Sequence, residues 1–205
     1  VRHCFQNTGQ SCNAPTRMLV PASQYETAME IAKEAAEATT VGLPSLPGSH
    51  IGPLVSQMQY DRVQSLIQVG IEDGARVVAG GLGRPEGFNR GYFCRPTVFG
   101  DVTNDMRIAQ EEVFGPVLVM IAYQDDADAV RIANDTPYGL AAYIQTGDES
   151  RGLAMARDIR AGMVHLNGSD ISYGSPFGGY KLSGNGREGG VYGIEDFCEI
   201  KAISV

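Results

Sequence analysis

The run Val117-Leu118-Val119-Met120-Ile121-Ala122-Tyr123 constrains the fold more than any other segment. A strand with one wet face alternates apolar and polar residues. This one is apolar throughout, as a strand covered on both faces must be. It is far shorter than the roughly 18 residues of a membrane span, and no other apolar run is longer. Around it the sequence switches between helical and extended periodicity. Ser23 and Glu26 read as a capping box, followed by Tyr25, Ala28, Met29, Ala32, Ala35 and Ala36 at helical spacing. A second helix is expected from about Ser56, with Tyr60, Val63, Leu66, Ile67 and Ile71 as its stripe and a stop before Gly74. A third opens at Asp125-Asp126, and a fourth over Asp148 to Ile159 places Leu153, Ala156 and Ile159 on one side. Strands are expected at Arg76–Ala79, Thr97–Val102, Ala141–Gln145, Ala161–Leu166 and, last, Glu199–Val205. Such alternation predicts an α/β fold with a mostly parallel sheet flanked by helices.

Composition narrows the function classes. Hydrophobic residues make up 43% of 205 residues, enough for a sizeable core. A net charge of −8 and a pI near 4.8 leave no basic stripe for nucleic acid and no basic patch for a membrane surface. Four cysteines (Cys4, Cys12, Cys94, Cys198) and three histidines (His3, His50, His165) have no metal-ligand spacing, and the cysteines are too sparse for a disulfide framework. No metal is expected, and a reduced, cytoplasmic setting fits. The opening Val1-Arg2-His3-Cys4 has neither Met nor a signal-peptide core, so it reads as a mature fragment.

One apparent motif is discounted. Gly184-Asn185-Gly186-Arg187-Glu188-Gly189 matches G-x-G-x-x-G, but no strand precedes it and only sixteen residues follow. A dinucleotide fingerprint needs a strand, a helix and an acid about 20 positions on. These glycines read as backbone devices of a tight loop.

The chemistry concentrates in Phe5-Gln6-Asn7-Thr8-Gly9-Gln10-Ser11-Cys12-Asn13-Ala14. A cysteine in polar, glycine-flanked loop sequence can be exposed and ionisable. A structural cysteine sits among apolar residues. From residues alone both readings of Cys12 stay open. So do two readings each for Asn7 (loop support or turn residue), Glu112 (ligand or solvated acid) and Phe114 (site residue or core).

The run resembles the active-site segment F-x-N-x-G-Q-x-C of the NAD(P)-dependent aldehyde dehydrogenases. Glu111-Glu112-Val113-Phe114-Gly115-Pro116 resembles that family's E-x-F-G-P motif. The stretch from Pro176 to Glu188 resembles its P-F-G-G-x-K-x-S-G-x-G-R-E signature. The resemblance covers essentially every residue, but only the later, smaller part of the usual family chain. It implies a catalytic domain over residues 1–190, a C-terminal segment and oligomerisation arm over 191–205, and an N-terminal NAD(P)-binding domain that is absent. It implies Cys12 as the nucleophile toward a small-molecule aldehyde, with its backbone N–H among the oxyanion donors. Glu112 would hold the hydroxyls of the nicotinamide ribose, and Phe114 would limit the tilt of the nicotinamide. Gln59 and Arg62 would lie on a helix facing the cofactor, although the family often has Lys at the latter position. Phe177 and Ile171 would lie near the substrate tunnel, and Lys181 would be a structural loop residue. The general base, an oxyanion-binding Asn and most of the NAD or NADP site would lie upstream, so the fragment alone is expected to be inactive or nearly so.

Two other readings stand beside this one. A cysteine-dependent hydrolase or esterase would pair Cys12 with His3 or His165. A non-catalytic assembly module would use the last strand to build a homo-oligomer, a dimer or tetramer. The aldehyde, the choice between NAD and NADP, and hydrolysis against transfer to CoA are open at this level.

Overall fold

The computed structural model describes residues 1–205. They form two compact units, Val1–Ile132 and Ala133–Val205.

The first unit opens with a one-turn helix α1 (Arg2–Phe5) and a 3-10 turn over Gln6–Gly9. Then come β1 (Arg17–Pro21), α2 (Tyr25–Glu37), α3 (Gln57–Glu72), β2 (Arg76–Ala79), β3 (Thr97–Gly100), α4 (Arg107–Gln110) and β4 (Val117–Tyr123). Its sheet has the order β1-β4-β3-β2, with β4 parallel to β1 and β3, and β2 antiparallel at the edge. The register pairs Arg17 with Val119 and Thr97 with Val117.

Strand β4 explains its own composition. Successive side chains of a strand point to opposite faces. Val117, Val119 and Ile121 enter a core with Phe99 and with Tyr60, Val63, Leu66 and Ile67 of α3. Leu118 and Met120 enter a second core with Val98 and with Tyr25, Met29, Ala32 and Ala36 of α2. One helix covers each face, so no position on the strand from Val117 to Ile121 can be polar. Each such side chain contributes roughly 1.5–3 kcal/mol on burial.

The helix α3 starts as its sequence directs: Ser56 is extended and its hydroxyl accepts from Gln59 N. The capping box expected at Ser23 does not form. A 3-10 turn, Ala22–Gln24, follows β1 directly, and Gln24 precedes the helix without a side-chain cap. Ser23 therefore lacks the extended backbone that a capping hydroxyl needs. Tyr25 anchors this end instead: its buried hydroxyl donates to Met120 O (2.8 Å) and accepts from Asp101 N (2.8 Å).

Helix α5 (Asp126–Asn134) leads into the second unit. There β5 (Ala141–Ile144) and β6 (Met163–Leu166) pair in parallel, with Ala141 opposite Met163, around α6 (Glu149–Asp158). Asp148 caps α6 by accepting from Arg151 N. Leu153 is 45% exposed, not buried on the expected stripe; Gly152 is the residue α6 buries. The glycine-rich loop contains a 3-10 turn at Lys181–Ser183 and is followed by α7 (Gly190–Glu195). Residues 184–189 thus follow a turn, not a strand, and no βαβ unit surrounds them. Phe177 and Glu188 exchange two backbone hydrogen bonds of 2.7 Å across this loop. A Cβ on Gly178 would lie 2.2 Å from Gly186 O, so the two loop arms can approach only with glycine there.

The expected strand Glu199–Val205 is not formed: these residues are exposed and pair with no other strand. Extended backbone without a partner edge has no ladder to join.

Candidate active site

Two loops of the first unit meet at the site. The first carries Cys12. Asn7, Thr8 and Gly9 adopt three successive left-handed conformations, with φ of 51°, 59° and 70°. Such a sequence is unfavourable for side-chain-bearing residues, and each is held. Asn7 Nδ2 donates to Gln10 O (2.8 Å), and buried Thr8 Oγ1 donates to Gly52 O (3.0 Å). Gln10 Oε1 accepts from Val55 N (2.8 Å), which ties the loop to the segment leading into α3. Cys12, past this tight turn, is exposed.

The other thiols differ. Cys4 and Cys94 are buried, and desolvation pushes them up to about 12 and about 11. Cys198 is exposed on the C-terminal segment of the second unit. His50 Nε2 lies 2.9 Å from Leu43 O, and no group of three or more His, Cys, Asp or Glu side chains could hold a metal ion.

The second loop runs from Glu111 to Gly115, between α4 and β4. Glu111 is engaged by Arg107 and lies 4.0 Å from Arg62, and its hydrogen bond from Arg107 holds its carboxyl below the usual range. The Glu112 side chain is exposed, and its carboxylate makes no hydrogen bond or ion pair. Phe114 is half-buried with φ 54°. Gln59 Nε2 donates to Val113 O (3.0 Å) and Phe114 O (2.9 Å), and Arg62 Nη2 donates to Glu112 O (2.8 Å). The two loops touch at glycine: a Cβ on Gly9 would stand 2.0 Å from Gly115 O.

The structure therefore brings Cys12, Glu112, Phe114, Gln59 and Arg62 into one pair of adjoining loops and the helix that holds them. Phe177 and Ile171 belong to the second unit, Phe177 half-buried in the bridge to Glu188 and Ile171 37% exposed. His165 of that unit stacks on Tyr143 (4.7 Å between centroids), and its Nδ1 lies 2.8 Å from Ser169 O. Lys181 Nζ donates to Asn134 O (2.6 Å) and Thr136 O (3.0 Å). Sequence reasoning had no signal for the side-chain-to-carbonyl bonds of Gln59 and Arg62, or for the packing of Gly9 on Gly115.

A mostly parallel sheet flanked by helices, with an exposed thiol on the loop before its first strand, defines an α/β domain. The chain belongs to the aldehyde dehydrogenase family, whose model matches residues 1–203. It is 50% identical over 203 residues to 3-succinoylsemialdehyde-pyridine dehydrogenase of Pseudomonas sp, covering 99% of this chain and 43% of that protein. Among solved structures, an aldehyde dehydrogenase from Bartonella henselae is 54% identical with a TM-score of 0.93, over 96% of this chain and 41% of the other. A mutant of aldehyde dehydrogenase C from Pseudomonas syringae, complexed with NAD+ and octanal, is 49% identical with a TM-score of 0.95, over 98% and 41%. The chain thus spans about two fifths of the length of the relatives it matches.

Proposed function

We propose that this chain is the catalytic portion of an NAD(P)-dependent aldehyde dehydrogenase that oxidises an aldehyde to a carboxylic acid through Cys12. The supporting observation is the exposed thiol on a loop packed directly against the loop that presents the unpartnered Glu112 carboxylate. Cys12 Sγ, as thiolate, bonds to the carbonyl carbon, and the carbonyl oxygen becomes an oxyanion facing the backbone N–H of Cys12. The oxyanion collapses as the hydrogen on that carbon leaves as hydride, for which NAD(P)+ would be the acceptor when bound. The acyl group then rests on Sγ as a thioester. Water adds to the thioester carbon, the C–S bond breaks, and the carboxylic acid leaves with the thiol restored.

The residues present fit this cofactor. A carboxylate with no protein partner can accept from two vicinal hydroxyls, and Glu112 is such a group. Phe114 offers a half-buried ring two residues further along the same loop, and Phe177 and Ile171 are read as aldehyde contacts on the family resemblance alone. The general base and most of the dinucleotide contacts belong to the upstream domain. A reduced, cytoplasmic setting suits a chain whose four cysteines are all free.

The test is NAD(P)+ reduction by an aldehyde in the complete polypeptide and in this chain alone. Complete enzyme active, Cys12→Ala inactive and the isolated chain inactive is the expected pattern. Ordinary turnover by the isolated chain, or by the Cys12→Ala enzyme, would sink the assignment.

A second role, assembly into a homo-oligomer, is favoured by the C-terminal segment. Tyr192, Ile194, Phe197, Ile200 and Ile203 are all at least 60% exposed. Removing residues 199–205 is expected to lower the oligomer's mass in sedimentation; an unchanged mass refutes it.

A further inference from the structure

The Glu111–Gly115 loop carries a residue that must be forced into place. Phe114 has φ 54°, a left-handed conformation that a side chain disfavours. Three consecutive carbonyls around it, those of Glu112, Val113 and Phe114, receive hydrogen bonds from two side chains of one helix. Gln59 and Arg62 are three residues apart, so they share one face of α3. A carboxamide nitrogen has two hydrogens. Gln59 Nε2 gives one to Val113 O and one to Phe114 O, which leaves it no N–H for a ligand. Arg62 is engaged with the Glu112 carbonyl and lies beside the Glu111 carboxylate, while the Glu112 carboxylate stays unpartnered.

The same end of α3 also holds the thiol loop. Gln10 Oε1 accepts from Val55 N, one residue before the Ser56 cap. Both loops are therefore registered on the first turns of one helix, and Gly9 against Gly115 closes the arrangement.

We propose that Gln59 and Arg62 act as positioning residues, which fix through backbone carbonyls the loop that presents Glu112 and Phe114 to the cofactor. This rests on the reading of Glu112 as a cofactor ligand given above. If it holds, the contribution of Gln59 to cofactor binding is exerted through Glu112 and vanishes when that carboxylate is gone.

The experiment is a double-mutant cycle in the complete polypeptide, reading the NAD+ dissociation constant by fluorescence titration alongside kcat and the melting temperature. Gln59→Met keeps the side-chain length and removes the donors. It is expected to weaken NAD+ binding roughly ten-fold, the scale of two lost hydrogen bonds. Added to Glu112→Gln it should cost less than about two-fold more. Arg62→Met should weaken binding and Arg62→Lys, which still reaches with one donor, should restore most of it. Gln59→Asn keeps the amide but loses the reach, and should show the same lack of additivity if Gln59→Met folds poorly. Fully additive effects of Gln59→Met and Glu112→Gln overturn the positioning role alone, because they mean independent contacts with the cofactor. An unchanged dissociation constant and kcat in Glu112→Gln overturn both this proposal and the reading of Glu112 on which it rests.

Discussion

Replacing Gly9 by alanine separates the cost of a backbone angle from the cost of a collision at the site. Gly9 has φ 70°, and its added Cβ would stand 2.0 Å from Gly115 O, 2.3 Å from Gly115 C and 2.9 Å from Pro116 N. The angle alone costs about 1–2 kcal/mol for a residue with a Cβ. The collision is with backbone that cannot rotate away. Restoring the 3.4 Å at which ordinary contact begins requires the two loops to part by about 1.4 Å. A misplacement of about 1 Å between reacting groups costs on the order of 10²-fold in rate. Gly9→Ala in the complete enzyme is therefore expected to lose at least about 10²-fold in kcat/KM, with a melting temperature several degrees lower. Gly74→Ala is the control: its φ is 93° but a Cβ there meets nothing within 4 Å. It should show only the angle's cost in stability and keep its activity. Steady-state NADH formation and thermal melts of both variants decide the matter. Gly9→Ala with activity within about three-fold of the parent and the same melting temperature as Gly74→Ala would refute the argument, since by the rate relation three-fold is only about 0.65 kcal/mol.

Brief alkylation at pH 8 with peptide mapping should modify Cys12 and Cys198 and spare Cys4 and Cys94, which burial keeps as thiols; equal labelling of all four refutes the burial. Because those two buried thiols titrate near 12 and 11, the unfolded state loses its protons first as pH rises past 9.0, the value without burial. Their stabilising effect is complete below that pH and is lost progressively above it, so melting temperature should fall from pH 8 to 10, less steeply in Cys4→Ala. Tyr25→Phe leaves the Met120 carbonyl and the Asp101 N–H without their partner and should cost about 1–3 kcal/mol in denaturant unfolding. Lys181→Met removes both donors to Asn134 O and Thr136 O, and should lower stability while leaving the pH profile of kcat unchanged; a shifted profile would make Lys181 part of the chemistry.

What could be read from sequence depended on how much of the signal was local. Strand β4 was legible because burial on both faces leaves an unbroken apolar run, and α3 because Ser56 and its stripe agree. Strand β1 went unseen: as an edge strand it buries only Val20 fully, carries Arg17 and ends at Pro21, so nothing in its pattern marks it. The box at Ser23 and Glu26 had the right residues, but the 3-10 turn after β1 removed the backbone it needed. Glu199–Val205 alternates like a strand, yet a strand is a property of two edges and the sequence shows only one. At the site, the motifs marked Cys12, Glu112 and Phe114, whereas the bonds from Gln59 and Arg62 run to carbonyls fifty or more residues away and have no residue-type signature.

The division of β4 between two cores has a consequence for how this sequence can vary. Leu118 and Val119 are chemically bonded neighbours but belong to different packing communities, one with Met29 of α2 and the other with Val63 of α3. Drift at one should therefore leave the other indifferent, while Met29 and Met120, ninety-one positions apart, change together or not at all. A single-residue deletion in this strand would exchange the memberships of every position after it, so the segment tolerates substitution far better than any change of length.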